Sequence, residues 1–367
     1  MDDGDRSPGY RPPSPSSPPS VVRLPRYWYV ACASAELGRR PVARTILGIP
    51  LVLFRDGAGR PVALLDRCPH RNVPLSCGQV VEGLLECCYH GWRFDPAGAC
   101  RAIPGLVGED PDRRSRRATV FPVAEQDGFV WVVPDAEASS SPPGPFRFPH
   151  LTDPGYATVR RSARLESTLH AALENTLDVP HTAFLHGGLF RGGREPVEIE
   201  VVVRHRPDSV EAEYVGEPRP EGLAGRVLAP EGGLVTHFDR FFLPSIAQVE
   251  YRLGENHLVT TSAFTPVSDF VTDLHAAVTF RLRLPHAAVR AAVTPIVGRI
   301  LSQDAAILRR QSETIRRFGG EQFSSTDLDV LGQHIWKLLR QAERGQRPGA
   351  TADEAATPPE RRIRIRV

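Results

Sequence analysis

Two short Cys–His pairs are the residues of this sequence best suited to hold a metal. The pairs are Cys68-x-His70 and Cys87-x-x-His90, with sixteen residues between them. Each pair follows a β-like run and lies in a turn that contains Pro or Gly, so two tight loops could face each other. The four side chains could hold one tetrahedral zinc ion, or two irons with the cysteines on one and the histidines on the other. The spacing alone allows both.

A second group of candidate ligands lies in the segment ENTLDVPHTAFLH, residues 174–186. It contains Asp178, His181 and His186. Two histidines five residues apart on a regular helix would point about 140° apart and could not share a metal. Because Pro180 should break the preceding helix, we expect an irregular segment in which the two imidazoles converge.

A third ligand for this second site should be a carboxylate on another element. Asp304 is the best candidate, since it lies on the apolar stripe of a helix predicted over about 287–318. An acid on such a stripe is costly unless it binds a metal or forms a salt bridge with an arginine, which is the alternative. Two histidines and one carboxylate are the ligands of non-haem Fe(II) sites that leave positions open for dioxygen. The stripe consists of Val297, Ile300, Leu301, Leu308 and Ile315.

The elements that position these ligands divide the chain in two. Short β-like runs separated by turns fill the first part and indicate an antiparallel β domain. Strands followed by a long helix fill the second part, which indicates an α+β domain. The predicted boundaries are a disordered tail over 1–22, a β domain over 23–138, a linker over 139–148, a metal-binding domain over 149–343 and a disordered tail over 344–367.

Composition narrows the class of protein. The 367 residues can form two cores, and a formal charge of +2 argues against a dedicated nucleic-acid binder. No apolar run reaches the roughly 18–20 residues of a membrane span, and no basic-then-apolar leader opens the sequence. We therefore expect a cytoplasmic protein without a membrane span. Six cysteines are too few for a disulfide scaffold in a chain of this length.

The first motif closely resembles the Rieske motif C-x-H…C-x-x-H-G-W, and the stretch GACRAIP (98–104) extends the match. The resemblance implies a [2Fe–2S] cluster with Cys68 and Cys87 on one iron and His70 and His90 on the other. Cys88 stands where the family generally has proline, and we expect it not to be a ligand. Cys32, Cys77 and Cys100 are expected to be small buried apolar residues. Val73 stands where respiratory-chain Rieske proteins have a further cysteine, which disfavours that branch.

Together the two motifs resemble the catalytic (alpha) component of the Rieske non-haem iron oxygenases over about residues 23–343. The resemblance implies an N-terminal Rieske domain followed by a helix-grip (START-like) catalytic domain, with iron bound by His181, His186 and Asp304. It also implies a homotrimer in which Asp178 links the partner subunit's His90 to His181. Asn175 is expected near the iron ligands, or otherwise on the helix surface.

The function implied by this resemblance is the oxidation of an apolar organic substrate by O2. A ferredoxin or reductase that draws on NADH or NADPH would supply the electrons through the cluster. Hydroxylation or demethylation is expected ahead of dihydroxylation or desaturation, and no substrate-binding residue is assigned. Two alternatives remain open, which are an electron carrier without a second iron and a zinc-bound lipid-binding protein.

Overall fold

The first half of the molecule is built from short antiparallel strands. The computed structural model describes residues 20–138, 143–187, 197–218, 235–282, 285–346 and 360–366. Strands β1, β10 and β11 form one small sheet, β2, β3, β4 and β9 a second, and β5 to β8 a third. Their bounds are β1 Tyr29–Ala33, β2 Val42–Ile46, β3 Ile49–Arg55, β4 Pro61–Leu65, β5 Gln79–Val81, β6 Leu84–Glu86, β7 Arg93–Phe94, β8 Cys100–Ala102, β9 Val120–Phe121, β10 Val123–Gln126 and β11 Phe129–Val132.

Strand β3 separates two apolar cores in this half. Its side chains alternate between the two faces, so Leu51 and Leu53 enter one core while Val52 and Phe54 enter the other. A strand buried on both faces needs an uninterrupted apolar run, which explains the sequence LVLF at 51–54. The second core also contains the buried cysteines Cys68 and Cys87. The first metal-binding motif therefore stands on a packed core.

In the described residues of the second half, eight strands form one antiparallel sheet with helices on one face. The strand order is β12-β18-β17-β16-β15-β14-β13-β19. The strands are β12 Ala157–Leu165, β13 Glu198–His205, β14 Ser209–Val215, β15 Thr236–Phe242, β16 Ile246–Leu253, β17 Asn256–Ser268, β18 Val271–Arg281 and β19 Glu360–Arg366. The helices are α1 Leu169–Thr176, α2 His181–Leu185, α3 His286–Arg317 and α4 Gly332–Glu343. This arrangement confirms the predicted α+β fold, with an all-β domain followed by a domain in which helices pack on an antiparallel sheet.

The two faces of the large sheet pack against different parts of the chain. Phe264 and Ala276 belong to the core formed with α1, α3 and α4. Ala263 and Ala277, their neighbours in sequence, point the other way and pack against the β domain, where Trp131 is fully buried. The sheet therefore lies between the β domain and the helices.

The predicted disordered tail over 344–367 is wrong for its last part. Residues 360–366 form β19, which pairs with β13 along the sheet edge. Ile365 is buried in the core, while Arg364 and Arg362 form ion pairs with Glu198 and Glu200. The alternation of arginine and isoleucine at 361–366 is the period of a half-buried strand, and composition alone concealed it. Residues 347–359 of this tail lie outside the described residues.

The predicted N-terminal tail and linker also contain packed residues. Val22 is buried in the core of the second half, and the Ser20 hydroxyl donates to Glu321. Phe146 and Phe148 pack at the contact between the β domain and the large sheet. Residues 1–19 and 139–142 lie outside the described residues. The boundaries at 22 and 148 therefore cut through packed structure.

Helix α3 has the length and apolar composition that a membrane span requires. Here its N-terminal half packs on the sheet, with Val289, Val293 and Val297 against Val159 and Phe280. The same helix carries Asp304, so its composition is weak support for a span. The absence of a membrane span stays a prediction.

A buried ionic cluster crosses strands β14, β15 and β16. The ring of His237 is stacked between Tyr214 and Tyr251, with centroids 4.4 and 4.1 Å away. Its Nδ1 and Nε2 lie 2.6 Å from Glu217 and 3.0 Å from Asp239. Burial opposes the charged form of this imidazole, but the two carboxylates outweigh it and raise the pKa of His237 to about 9.

We expect His237 to make the stability of this half depend on pH. A pKa raised from 6.5 to about 9 on folding contributes stability below pH 6.5 that is lost as the pH rises through 9. Replacement by glutamine should lower the free energy of unfolding at pH 6.5 by about 3 kcal/mol, since it removes the buried positive charge that lies between the carboxylates of Glu217 and Asp239. It should also flatten this pH dependence. Urea unfolding at pH 6.5 and at about pH 9 measures the effect, with His150→Gln as the control. An unchanged pH dependence in His237→Gln would contradict the assignment.

Candidate metal centres

The two loops of the first motif have the same backbone turn. The Cys68 amide donates to the Val73 carbonyl at 2.8 Å, and the Asn72 amide donates to the Cys68 carbonyl at 2.9 Å. In the second loop the Cys87 amide donates to Trp92 at 2.8 Å, and the Gly91 amide donates to Cys87 at 3.0 Å. Asn72 and Gly91 occupy the same place in each turn and both have positive φ, 60° and 67°. The repeated turn places the two cysteines in matching positions, whereas His70 is the second residue after its cysteine and His90 the third.

The donor atoms of these loops form an inner and an outer pair. Cys68 and Cys87 are each 2% exposed, whereas His90 is exposed. The His70 and His90 rings lie 4.6 Å apart, and His70 stacks on Trp92 with an interplanar angle of 5°. Within the described part of the chain, the buried Nδ1 of His70 has no hydrogen-bond partner. A buried ring nitrogen without a partner is costly, so this position fits a metal ligand.

The Cys68 thiol needs a cation nearby to ionise. Burial raises the pKa of Cys68 to about 11, the backbone amides of His70 and Arg71 oppose that shift, and Cys87 adds to it. A bound metal favours the thiolate, because ligation requires deprotonated sulfur. Buried cysteines beside outward histidines are the donor set of a [2Fe–2S] cluster with one iron bound by sulfur and one by nitrogen.

The remaining cysteines divide into buried and exposed residues. Cys32 and Cys100 are buried, as predicted. The prediction that Cys77 is buried is wrong. Cys77 is exposed because it is the last residue of a short turn whose buried residue is Leu75. Cys88 is exposed and lies next to the buried Cys87. That Cys88 is not a ligand stays a prediction, which its exposure supports.

The break in the helix before the second motif brings His181 and His186 together. Helix α1 ends at Thr176, and Pro180 directly precedes the short helix α2. His181 begins α2, whereas His186 follows its last residue and has left the helical conformation (φ −106°, ψ 32°). The two Nε2 atoms consequently lie 3.3 Å apart.

Asp304 of α3 completes this group. Its Oδ1 lies 3.2 Å from Nε2 of His186 and 3.7 Å from Nε2 of His181. One donor atom from each residue lies within 4.8 Å of the others, as in a metal site. Among the described residues, Asp304 Oδ1 is buried without a conventional hydrogen-bond partner. Burial lowers the pKa of His186, but Asp304 and Gln303 outweigh it and raise the pKa, so a proton and a metal compete for this space.

The other ring nitrogens are fixed by neighbouring oxygens. Nδ1 of His186 lies 3.0 Å from the side-chain oxygen of Gln303, and Nδ1 of His181 contacts the backbone carbonyl of Asp178. Both oxygens can only accept, so each Nδ1 carries the proton and each Nε2 keeps its lone pair for a metal. Gln303 has no sequence signal beyond its place next to Asp304, and sequence reasoning missed it.

Asp178 lies between His181 and an open groove. Its Oδ2 lies 3.3 Å from the backbone nitrogen of His181 and 3.4 Å from Nδ1. Asp178 and Asn175 both line the groove, whose volume is about 1,190 Å³. Asn175 therefore lies beside the groove, and its predicted place near the iron ligands stays a prediction. Exposed apolar side chains of Ile307, Phe318 and Phe323 form part of the same lining.

Comparisons with known proteins match both halves of the chain. The Rieske [2Fe-2S] domain family matches residues 27–120, and the vanillate O-demethylase oxygenase C-terminal domain family matches residues 165–344. The oxygenase component of dicamba O-demethylase from Stenotrophomonas maltophilia is 39% identical over 159 residues, which are 43% of this chain and 46% of that protein. The 3-chlorobenzoate-3,4-dioxygenase oxygenase subunit of Comamonas testosteroni is 32% identical over 256 residues, which are 66% of this chain and 56% of that protein. The chain thus spans about half the length of these two relatives.

A solved structure has the same architecture. The crystal structure of dicamba monooxygenase bound to dicamba superposes with a TM-score of 0.74 at 23% identity, and the match covers 88% of this chain and 98% of that one. Fold and metal centres define a class of protein in which a Rieske [2Fe–2S] domain precedes a helix-grip domain with two histidines and a carboxylate. Both domain matches and the relatives place the chain among the Rieske non-haem iron oxygenases. The family resemblance inferred from the two motifs is confirmed.

We expect Gln303 to set the iron affinity of the second site. Gln303→Leu removes the acceptor that orients His186, and losing such a partner typically weakens metal binding by about 10–100-fold. Competition with a ferrous chelator measures the affinity, while the visible spectrum of the cluster should not change. Gln311→Leu, on the same helix but lining the groove, is the matched control. Equal iron retention in the two variants would show that Gln303 does not position His186.

Proposed function

We propose that this protein is the oxygenase component of a multi-component system that oxidises an apolar organic substrate with O2. Hydroxylation or demethylation is the reaction we favour. The observation that carries the proposal is the meeting of His181, His186 and Asp304, in a chain whose other half carries the Rieske loops. An electron carrier would not need this second ligand group. A zinc-bound lipid-binding protein would not need the Rieske loops.

The residues of the second site prepare it for a ferrous ion. A bound ferrous ion supplies open coordination positions for dioxygen beside the substrate. The Asp178 carbonyl and Gln303 hold the two imidazoles with Nε2 towards the common point. Asp304 adds one negative charge, so His181, His186 and Asp304 would together hold the ion. The apolar core around Leu177 and Val179 reduces water access from the protein side.

The position of the large sheet suggests how electrons reach this site. Within one chain the β domain packs on one face of the sheet, and the helices with the iron ligands pack on the other. The cluster loops belong to the second core of the β domain, while Asp178 opens on the groove. We propose a homotrimer in which the partner subunit's His90 donates a hydrogen bond to Asp178. Asp178 in turn contacts His181, so one carboxylate would connect the two centres.

The electron donor and the substrate are proposed from the relatives. The names dicamba O-demethylase and 4beta-methylsterol monooxygenase (from Methylococcus capsulatus) describe demethylation and monooxygenation. We propose a ferredoxin or reductase that uses NADH or NADPH as the electron source. We also propose a cytoplasmic location. A panel of aromatic, steroid and natural-product compounds, assayed for product with the reductase present, would identify the substrate class.

Replacing one iron ligand should separate the oxygenase from its alternatives. His181→Ala should reduce the iron content from about three atoms per chain to about two and abolish product formation, with the cluster spectrum unchanged. Iron analysis, the visible spectrum and a product assay measure these quantities, and His205→Ala on β13 is the control. Substrate oxidation by His181→Ala would refute the proposed iron site. Two irons in the unaltered protein would favour the electron carrier, and none would favour the zinc protein.

Complementation should show whether electrons pass between subunits. His90→Ala removes a cluster ligand but keeps the second site, and His181→Ala does the reverse. Each variant alone should be inactive. Co-expressed chains should regain activity, because a mixed trimer can contain a cluster from one subunit next to an intact iron site of another. Asp178→Asn introduced into the His90→Ala chain should remove that regained activity. Inactive mixtures of correctly assembled trimers would contradict transfer between subunits.

A further inference from the structure

Two exposed cysteines flank the hairpin that leads into the second cluster loop. Strands β5 and β6 are antiparallel, with Gln79 opposite Glu86 and Val81 opposite Leu84. Continuing this register by two residues places Cys77 opposite Cys88. Neither thiol is a proposed iron ligand, and both are free.

The two segments remain close beyond the last paired residues. A Cβ atom on Gly78 would lie 2.0 Å from the Glu86 carbonyl oxygen, so only glycine permits this approach of the two backbones. Residues directly opposite in an antiparallel pair have Cα atoms about 4.5–5.5 Å apart. That separation falls within the roughly 4.4–6.8 Å that a disulfide spans.

The side chains of this hairpin also have the orientation that a cross-link requires. Gln79 donates a hydrogen bond to Glu86 at 2.8 Å on the solvent face, so opposite side chains on this face touch. Leu85 and Cys87 are buried on the other face. Cys77 and Cys88 lie just outside the strands, at the end of the turn Leu75–Cys77 and in the turn after β6, and both are exposed.

We propose that Cys77 and Cys88 form a reversible disulfide across the base of the second cluster loop. The oxidant would be a low-molecular-weight disulfide such as oxidised glutathione. One cysteine thiolate attacks the oxidant, forms a mixed disulfide and releases one thiol. The second cysteine thiolate then displaces the other half of the oxidant. The protein loses two protons and two electrons, one S–S bond forms in it, and the oxidant is reduced to two thiols.

The disulfide would restrain the loop that carries Cys87 and His90. It would tie this loop to the turn at Leu75–Cys77, which precedes β5. We expect this restraint to slow the opening of the loop, so the oxidised protein should lose cluster iron several-fold more slowly. This consequence rests on the proposed Rieske function, whereas the disulfide itself does not.

Peptide mapping of the full-length iron-loaded protein tests the disulfide. Trypsin alone leaves both cysteines in one peptide, residues 72–93, so cleavage after Glu82 and Glu86 is needed as well. After equilibration with oxidised glutathione and alkylation, we expect a linked pair of peptides, 72–82 and 87–93, joined through Cys77 and Cys88. Cys77→Ser and Cys88→Ser should each abolish it, and Cys32→Ala should retain it. Alkylation of both thiols at every glutathione ratio would overturn the proposal, and so would a bond from Cys77 to Cys87.

Iron release provides the second measurement. The rate at which a chelator takes iron from the cluster should be several-fold lower in oxidised than in reduced protein, and equal for both forms of Cys77→Ser. A mapped disulfide with unchanged iron release would refute the restraint on the loop. A protein that forms the disulfide but never binds a cluster would refute the proposed function and leave the thiol pair standing.

Discussion

The contact between one desolvated carboxylate and two imidazoles is the constraint on which the second half of this molecule depends. Asp304 lies within 3.7 Å of both Nε2 atoms and has a buried oxygen. Such a group is tolerated only where a cation or a proton compensates it. The surrounding structure keeps both imidazoles in place, because Pro180 separates α1 from α2 and His186 follows the end of α2. Gln303 and the carbonyl of Asp178 then fix which nitrogen faces the carboxylate.

The β domain positions its candidate metal ligands with two loops of the same backbone structure. Two loops with the same hydrogen bonds place Cys68 and Cys87 inside a packed core and leave His90 at the surface. This asymmetry suits a cluster that must be held firmly at one iron and approached at the other. The proposed thiol pair lies at the base of one of these loops, beside the candidate ligand Cys87.

The candidate ligand residues stand out in the sequence because each departs from its local pattern, and the structure brings His181, His186 and Asp304 together. Cys and His recur at short spacing in turns, and Asp304 interrupts an apolar stripe. The division into an all-β and an α+β domain followed from turn spacing and the long helix, and the structure confirms it. Gln303 could not be predicted, since its role depends on a contact with His186, which is 117 residues away. Nor could the burial of both sheet faces be predicted, because the partner of each face is set by long-range packing.

Strand β19 was not predicted from the sequence, because the arginines around Ile363 and Ile365 gave the segment the composition of a disordered tail. Its backbone pairs with β13 over seven residues and covers what would otherwise be the sheet's last row of exposed amide and carbonyl groups. Uncovered rows of this kind recruit strands from other molecules and begin aggregation. The arginines that alternate along β19 also place positive charge on the new border, which discourages a further strand from adding there. Strand β19 thus protects the edge of the large sheet. A truncated protein that lacks β19 would be prone to self-association in concentrated solution.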